Sequence, residues 1–432
     1  MQFTLRIKKR GQNETMVLLM LAIVFSFGLL LDLLNFPELF KYTADVVWLG
    51  LLVTIAINHF RMPNKETASL LTLVMVFWVF TLFGFIINSK SPLYYLWGFR
   101  NNFRYFIYFF ACCMFLRAQN VAEIMKIFDK LFYVNFAVSI FQFFVLGKKM
   151  DYLGGIFGTS VGCNGKTIIF FSIVLARSIL DYINGKETTK TCLMKCGMAL
   201  MIAALAELRF FFILFVLIVA MALLITRTSI KKLWIVIAAS VGVYVGAMLL
   251  VAIFPRFRGF LNISNIVEVA TSSSGYTGRG DMNRLTAIPI VWDRFLKNWP
   301  ERLLGLGLGN CDTSAFSFLN TAFFEQHGHL HYNWFSSSFM FLETGIIGLG
   351  LYMLFFAGVY VYTRKREKNG EAQRDICQLV RILAPVCLVM IIYNGSMRVE
   401  EAYIMYFALA LPFINKEKIL TKEGANSAEK TG

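Results

Sequence analysis

The sequence predicts an all-α polytopic membrane protein with about twelve transmembrane helices and one large extracytoplasmic loop. Three observations carry that expectation. Of 432 residues, 57% are hydrophobic and 16% aromatic, and apolar runs long enough to cross a bilayer recur along the chain. Those runs are continuous rather than alternating, so the backbone must satisfy itself as helices and not as a barrel. The formal charge of +16 sits mostly in the short loops between runs, which is a topology signal rather than a nucleic-acid footprint.

The first run, 16–34, follows the basic stretch from Arg6 to Arg10 and lacks a small-residue cleavage site, so it reads as a retained span. Runs at 42–60 and 69–88 are parted by Arg61 and Lys65, and runs at 99–116 and 127–147 by Arg117 and Lys126. A span at 164–181 precedes the stretch 191–226, which is too long for one ordinary span. Lys186, Lys190 and Lys195 flank one end of it and Arg227, Lys231 and Lys232 the other. Both ends therefore face the cytoplasm, and the stretch goes out and returns as spans 191–206 and 209–226 with Glu207-Leu-Arg209 at its outer tip. Spans at 233–254, 334–362, 376–394 and 400–415 complete the set.

The same charge pattern puts both termini in the cytoplasm with Arg364 to Lys368 and Lys416 to Lys422. The other side collects Lys41, Lys90 to Arg104, Lys148 to Lys166, Arg209, the large loop and Arg398. The organisation is thus nine helices in 1–254, an extracytoplasmic loop with short helices in 255–332, three helices in 333–415, and a polar cytoplasmic tail, 416–432, with a disorder-like composition. The expected location is the cytoplasmic membrane. Six cysteines fall in or beside apolar runs as small buried hydrophobes, and only Cys163 and Cys311 stand where a pairing could be considered.

Most polar chemistry outside the spans lies between Pro255 and Tyr332. Ser272 to Gly278 reads as a flexible linker. Residues 284–298 carry an amphipathic pattern (Leu285, Ile288, Val291, Trp292, Phe295) for a short helix along the membrane surface, with Pro289 placed to kink it. Gly305-Leu-Gly-Leu-Gly309 reads as a turn-rich stretch permitting close backbone approach.

In its order of marks the chain resembles the lipid-linked oligosaccharide handlers that include the O-antigen ligases and the repeat-unit polymerases of O-antigen and capsule. The marks are Gly278-Arg279, an amphipathic helix, Pro300, Gly305 to Gly309, a histidine near an asparagine, and Glu343-Thr-Gly345-Ile-Ile-Gly348 in a helix. Gly155-Ile-Phe-Gly158 followed by Asn164, and Arg209 opening an apolar helix, are similar to two weaker marks. One departure is that Tyr332 separates His331 from Asn333, where the family has His followed directly by Asn.

The resemblance implies a GT-C-like enzyme that moves a glycan from undecaprenyl diphosphate to an acceptor hydroxyl at the outer face of the membrane. The leaving diphosphate calls for guanidinium groups, whose forked donors match phosphate oxygens, and Arg209, Arg279 and Arg284 are the candidates. The acceptor hydroxyl calls for a base with a pKa near about 6.5, for which His331 is first choice and His329 second. Asn333, Asn164, Lys166 and Glu343 are supporting candidates. Arg256, Arg258 and Arg398 read as interfacial anchors. No metal or cofactor is called for, although His327, His329 and His331 on a strand would share one face, with Glu325 or Asp312 as further ligands. The implied partners are the undecaprenyl-diphosphate-linked oligosaccharide, membrane lipid, a chain-length regulator and a flippase, with no nucleic acid. A repeat-unit polymerase is the leading expectation and a ligase the alternative within the class. A transporter of the same lipid-linked sugar is the rival from another class, though sparse charge in the spans and the lack of duplicated halves weigh against it.

Overall fold

The computed structural model describes residues 11–88, 91–226, 230–255, 271 and 280–414. Each of the twelve expected spans coincides with a helix, and among the described residues there is no strand. Among the described residues, nine α-helices precede the loop: α1 (Gln12–Gly28), α2 (Thr43–Ile57), α3 (Lys65–Asn88), α4 (Pro92–Phe115), α5 (Ala118–Phe144), α6 (Cys163–Ile183), α7 (Thr189–Leu205), α8 (Arg209–Ile225) and α9 (Ile230–Ile253). Within the loop lie α10 (Ala287–Arg294), α11 (Trp299–Leu304) and α12 (Ala322–His327). The last three are α13 (Ser336–Lys368), α14 (Arg374–Tyr393) and α15 (Ala402–Ala410), which a 3-10 turn extends to Phe413.

Among the described residues, six helical segments are long and apolar enough to cross a membrane: Gln12–Asp32, Glu38–Ile57, Lys65–Asn88, Trp234–Ile253, Ser336–Lys368 and Arg374–Tyr393. The chain is an all-α, membrane-embedded protein. Large apolar side chains such as Val46, Val241 and Leu224 are exposed along the outside of the bundle, where lipid tails take the place of water. The core is aromatic. Tyr105 and Phe106 of α4 meet Tyr406 of α15 at ring separations of 5.6 Å, and Tyr105 meets Tyr403 at 4.9 Å.

Helix length explains where a cavity can form. The segment Ala402–Phe413 is fully enclosed by other helices and, at 1.5 Å per residue, reaches only about 18 Å against a hydrocarbon core of about 30 Å. The irregular stretch 394–401 makes up the difference. Irregular backbone at that depth is tolerated where it lines a polar cavity.

Two local expectations are corrected. The amphipathic pattern at 284–298 forms α10 and then breaks before α11, and Pro289 occupies the third position of α10, where its missing N–H would have had no helical partner, so it does not kink the helix. Helix α13 is bent instead, at Gly345, whose φ of 64° leaves the helical region. Near that break the carbonyls of Leu342 and Glu343 accept from Leu306 and Gly307 N–H at 2.9 Å, so the loop supplies donors to the bent helix. The linker Ser272 to Gly278 lies outside the described residues.

Candidate functional site

A cleft of about 1010 Å³ opens at one end of the bundle. Its walls come from five separated stretches: the 3-10 turn 38–42 leading into α2, the first half of α4, the loop into α6 with that helix's first turn, the loop 312–316 with Asn333 and Trp334, and the turn 394–400 between α14 and α15. Lys41, Arg100, Arg104, Lys166 and Arg398 all line it. These are the cations that the charge pattern assigned to a single side. The opposite end of α15 is marked by Asn64 Nδ2 donating to the Phe413 carbonyl at 2.8 Å and by the Glu66 ion pairs with Lys365 and Arg366.

Helical spacing puts Trp97, Arg100, Asn101 and Arg104 on one face of α4. Arg100 is fully engaged: Nε donates to Asp45 Oδ1 at 3.0 Å, Nη2 to Asp45 Oδ2 at 2.5 Å, and Nη1 to Asn101 Oδ1 at 2.6 Å. Arg104, one turn deeper and 3% exposed, is only half engaged. Its Nη2 donates to Tyr105 Oη at 2.6 Å and to Glu400 Oε1 at 3.3 Å, while its Nε and Nη1 are buried without a hydrogen-bond partner. A buried guanidinium with unused donors favours an oxyanion of suitable shape. On other stretches of the lining, Lys166 Nζ lies 2.9 Å from the buried Glu401, and the Arg398 guanidinium packs over Phe339 with Asp312 at 3.9 Å. Arg398 thus lines the cleft and corrects the expectation of an interfacial anchor.

The large loop is held to the bundle by glycines. Gly305 lies against the backbone of Glu343 and Thr344, Gly309 against the Tyr94 carbonyl, and Gly98 of α4 against Gly309, all approaches that a Cβ would block. Glu343 does not line the cleft. Its Oε1 accepts from Cys311 N–H at 3.0 Å, and Tyr332 Oη donates to the Cys311 carbonyl at 2.5 Å, which places Asp312 and Thr313 in the wall. Burial pushes both the Cys311 thiol and the Tyr332 hydroxyl upward, so neither ionises near neutral pH.

The three histidines do not share a face, because 328–330 is a 3-10 turn rather than a strand. His327 packs between Phe295 and Phe323 at 4.9 and 4.8 Å, and burial, with His329 and Arg294 nearby, pushes its pKa down. His329 lines a separate pocket with Arg294 and Lys297. His331, in a left-handed conformation, stacks on Trp334 at 3.8 Å and 10°, and Trp334 lines the cleft. The metal alternative loses its geometric basis: among the described residues no group of three His, Cys, Asp or Glu could hold an ion.

Of the expected diphosphate ligands, Arg279 lies outside the described residues, as do Arg256 and Arg258. Arg209 and Arg284 do not line the cleft; Arg284 and Phe210, the neighbour of Arg209 in sequence, meet beside it. Phe210 stacks on Tyr393 at 3.6 Å, and the Arg284 guanidinium sits 4.1 Å from the centre of that same ring, next to the cleft residue Asn394. Arg209 pairs with Glu207 at 3.3 Å. Asn164 is a tie rather than a ligand, donating to Asp151 Oδ1 at 3.1 Å and to the Ala206 carbonyl at 3.0 Å. Lys166 and Asn333 do line the cleft.

Compared with known proteins, the chain matches no family model and no curated protein sequence.

Proposed function

We propose that this chain is a membrane glycosyltransferase that takes a glycan from undecaprenyl diphosphate and joins it to a hydroxyl on another lipid-linked repeat, a polysaccharide repeat-unit polymerase at the outer face of the cytoplasmic membrane. The observation that carries the reading is the convergence of Arg100, Arg104, Lys166 and Arg398 on one cleft at one end of an apolar bundle. In this reading the carrier's tail stays in lipid and its diphosphate enters the cleft.

Arg104, whose buried Nε and Nη1 make no hydrogen bond and whose Nη1 reaches Asp45 only at 3.7 Å, meets the oxygens on which negative charge grows as the anomeric bond breaks. Lys166 and Arg398, from other stretches of the lining, add charge. The carboxylates Asp45, Glu400 and Glu401 keep these cations paired while the cleft is empty of substrate, and so hold them in place. The acceptor hydroxyl gives its proton to His331, whose ring is one stacking distance from the cleft wall. Arg284 and Phe210 support the adjoining Tyr393. Formally, the glycosidic carbon exchanges its bond to the diphosphate oxygen for one to the acceptor oxygen, the diphosphate leaves with the electron pair, and the proton passes to the imidazole.

The test is reconstitution of the purified protein in lipid with lipid-linked repeats as donor and acceptor. A ladder of lengthened products supports the polymerase. Transfer only to a second acceptor, a lipid core, wall polymer or protein, makes it a ligase. Movement of the lipid-linked sugar across the bilayer without any new glycosidic bond makes it a transporter and sinks the enzyme reading.

A further inference from the structure

We infer that the upper wall of the cleft is a saccharide subsite in which Trp97, Tyr42 and Phe316 take the apolar face of the sugar joined to the diphosphate and Asn333 takes a hydroxyl edge. The inference rests on the function proposed above and assigns residues that the function leaves unused.

The two halves of the cleft differ in chemistry along one helix. Arg104 sits at the deep end of the lining face of α4, and Trp97 sits seven residues earlier, about 10 Å along the axis. That separation suits a diphosphate at one end and the first sugar at the other. Around Trp97 the wall is aromatic: the Tyr42 ring centre is 6.5 Å from that of Trp97 and 5.3 Å from that of Phe316. These rings are held in position rather than loosely packed. Trp97 Nε1 donates to the Thr313 carbonyl at 3.2 Å, and the Arg100 guanidinium lies 4.8 Å from Trp97 and 5.5 Å from Tyr42, itself clamped by Asp45.

The surrounding groups narrow the ligand class. A lipid chain would need apolar walls throughout, whereas the cleft also presents Asn333, whose carboxamide makes no hydrogen bond among the described residues. A cation is disfavoured because the Arg100 guanidinium, already beside both rings, repels it. A pyranose has one C–H face that packs on aromatic carbon and a rim of hydroxyls that need donors and acceptors, and it meets both requirements.

The test uses the full-length protein in nanodiscs and two kinds of probe: farnesyl diphosphate, which has no sugar, and a panel of farnesyl-diphosphate conjugates each carrying one hexose or N-acetylhexosamine. Wild type is expected to bind at least one conjugate more tightly than farnesyl diphosphate. Trp97→Ala should weaken that conjugate about tenfold and leave farnesyl diphosphate within about twofold. Trp97→Phe keeps a ring but gives up the bond to Thr313, so near-wild-type preference there ascribes the effect to ring contact rather than loop placement. Equal wild-type affinity for all probes, or a Trp97→Ala loss that strikes both kinds alike, overturns the subsite while leaving the diphosphate reading intact. A wild type that binds neither kind overturns that reading, and the subsite with it.

Discussion

Arg104 concentrates the problem of this cleft in one side chain. It is buried against Tyr105, reaches both Asp45 and Glu400, and still has donors to spare. Replacement by an apolar residue would strand two carboxylates and damage the fold, so the informative change is Arg104→Lys, which keeps the charge and removes the fork. Polymer synthesis by the reconstituted variant should fall on the order of a hundredfold with an unaltered melting temperature. Near-normal synthesis would remove Arg104 from the reaction. The base is tested by a pair of variants. His331→Ala should abolish synthesis and Asp151→Asn, at the far wall, should spare it; the reverse outcome moves the base to the carboxylate. The signal for Arg104 was present in the sequence, since two arginines four residues apart inside an apolar run are costly unless they face a polar interior. Sequence spacing alone did not disclose which arginines of the chain would meet.

At the level of helices and loops, the glycines of 305–309 and Gly345 act as one joint. A Cβ on Gly309 would fall 1.9 Å from the Tyr94 carbonyl and one on Gly305 would fall 2.3 Å from Glu343 backbone, whereas Gly350, in the same helix as Gly345, has open space around it. Gly309→Ala should therefore cost roughly 1–3 kcal/mol through strain at a positive φ and forced backbone displacement, lowering the melting temperature, while Gly350→Ala should leave it unchanged or slightly raised. Equal behaviour of the two variants would refute the joint. The sequence made the close approach at 305–309 legible, because a run of alternate glycines has few other uses. It left the partner illegible, because the carbonyls that the loop fills are released only by the bend at Gly345, and isolated glycines in apolar helices are ordinary.

For the molecule as a whole, the charge pattern and the tertiary structure agree on a two-ended bundle. Every cation lining the cleft belongs to the set assigned to one side, and Lys365 and Arg366 at the other end belong to the opposite set. If the cleft faces outward, a Ser314→Cys variant in intact cells should react with a membrane-impermeant maleimide, and Lys368→Cys should react only after permeabilisation. Native background should be low, since Cys196 is half-buried and the other seven cysteines are buried. The opposite labelling pattern would invert the proposed topology and remove the cleft from the side where the carrier's sugar is presented.

Composition and the spacing of apolar runs were enough for the helical, membrane-embedded class and for where the apolar helices fall. The reason is that a bilayer imposes one-dimensional rules, apolar length and flanking charge, that a chain must satisfy segment by segment. Which side chains form the cleft was a matter for the tertiary structure alone. Arg100, Arg104 and Arg398 entered it, while Glu343 and Arg209 did not, because that outcome depends on the short α15, the bend at Gly345 and the rotation of α4, all set by packing between segments far apart in the chain.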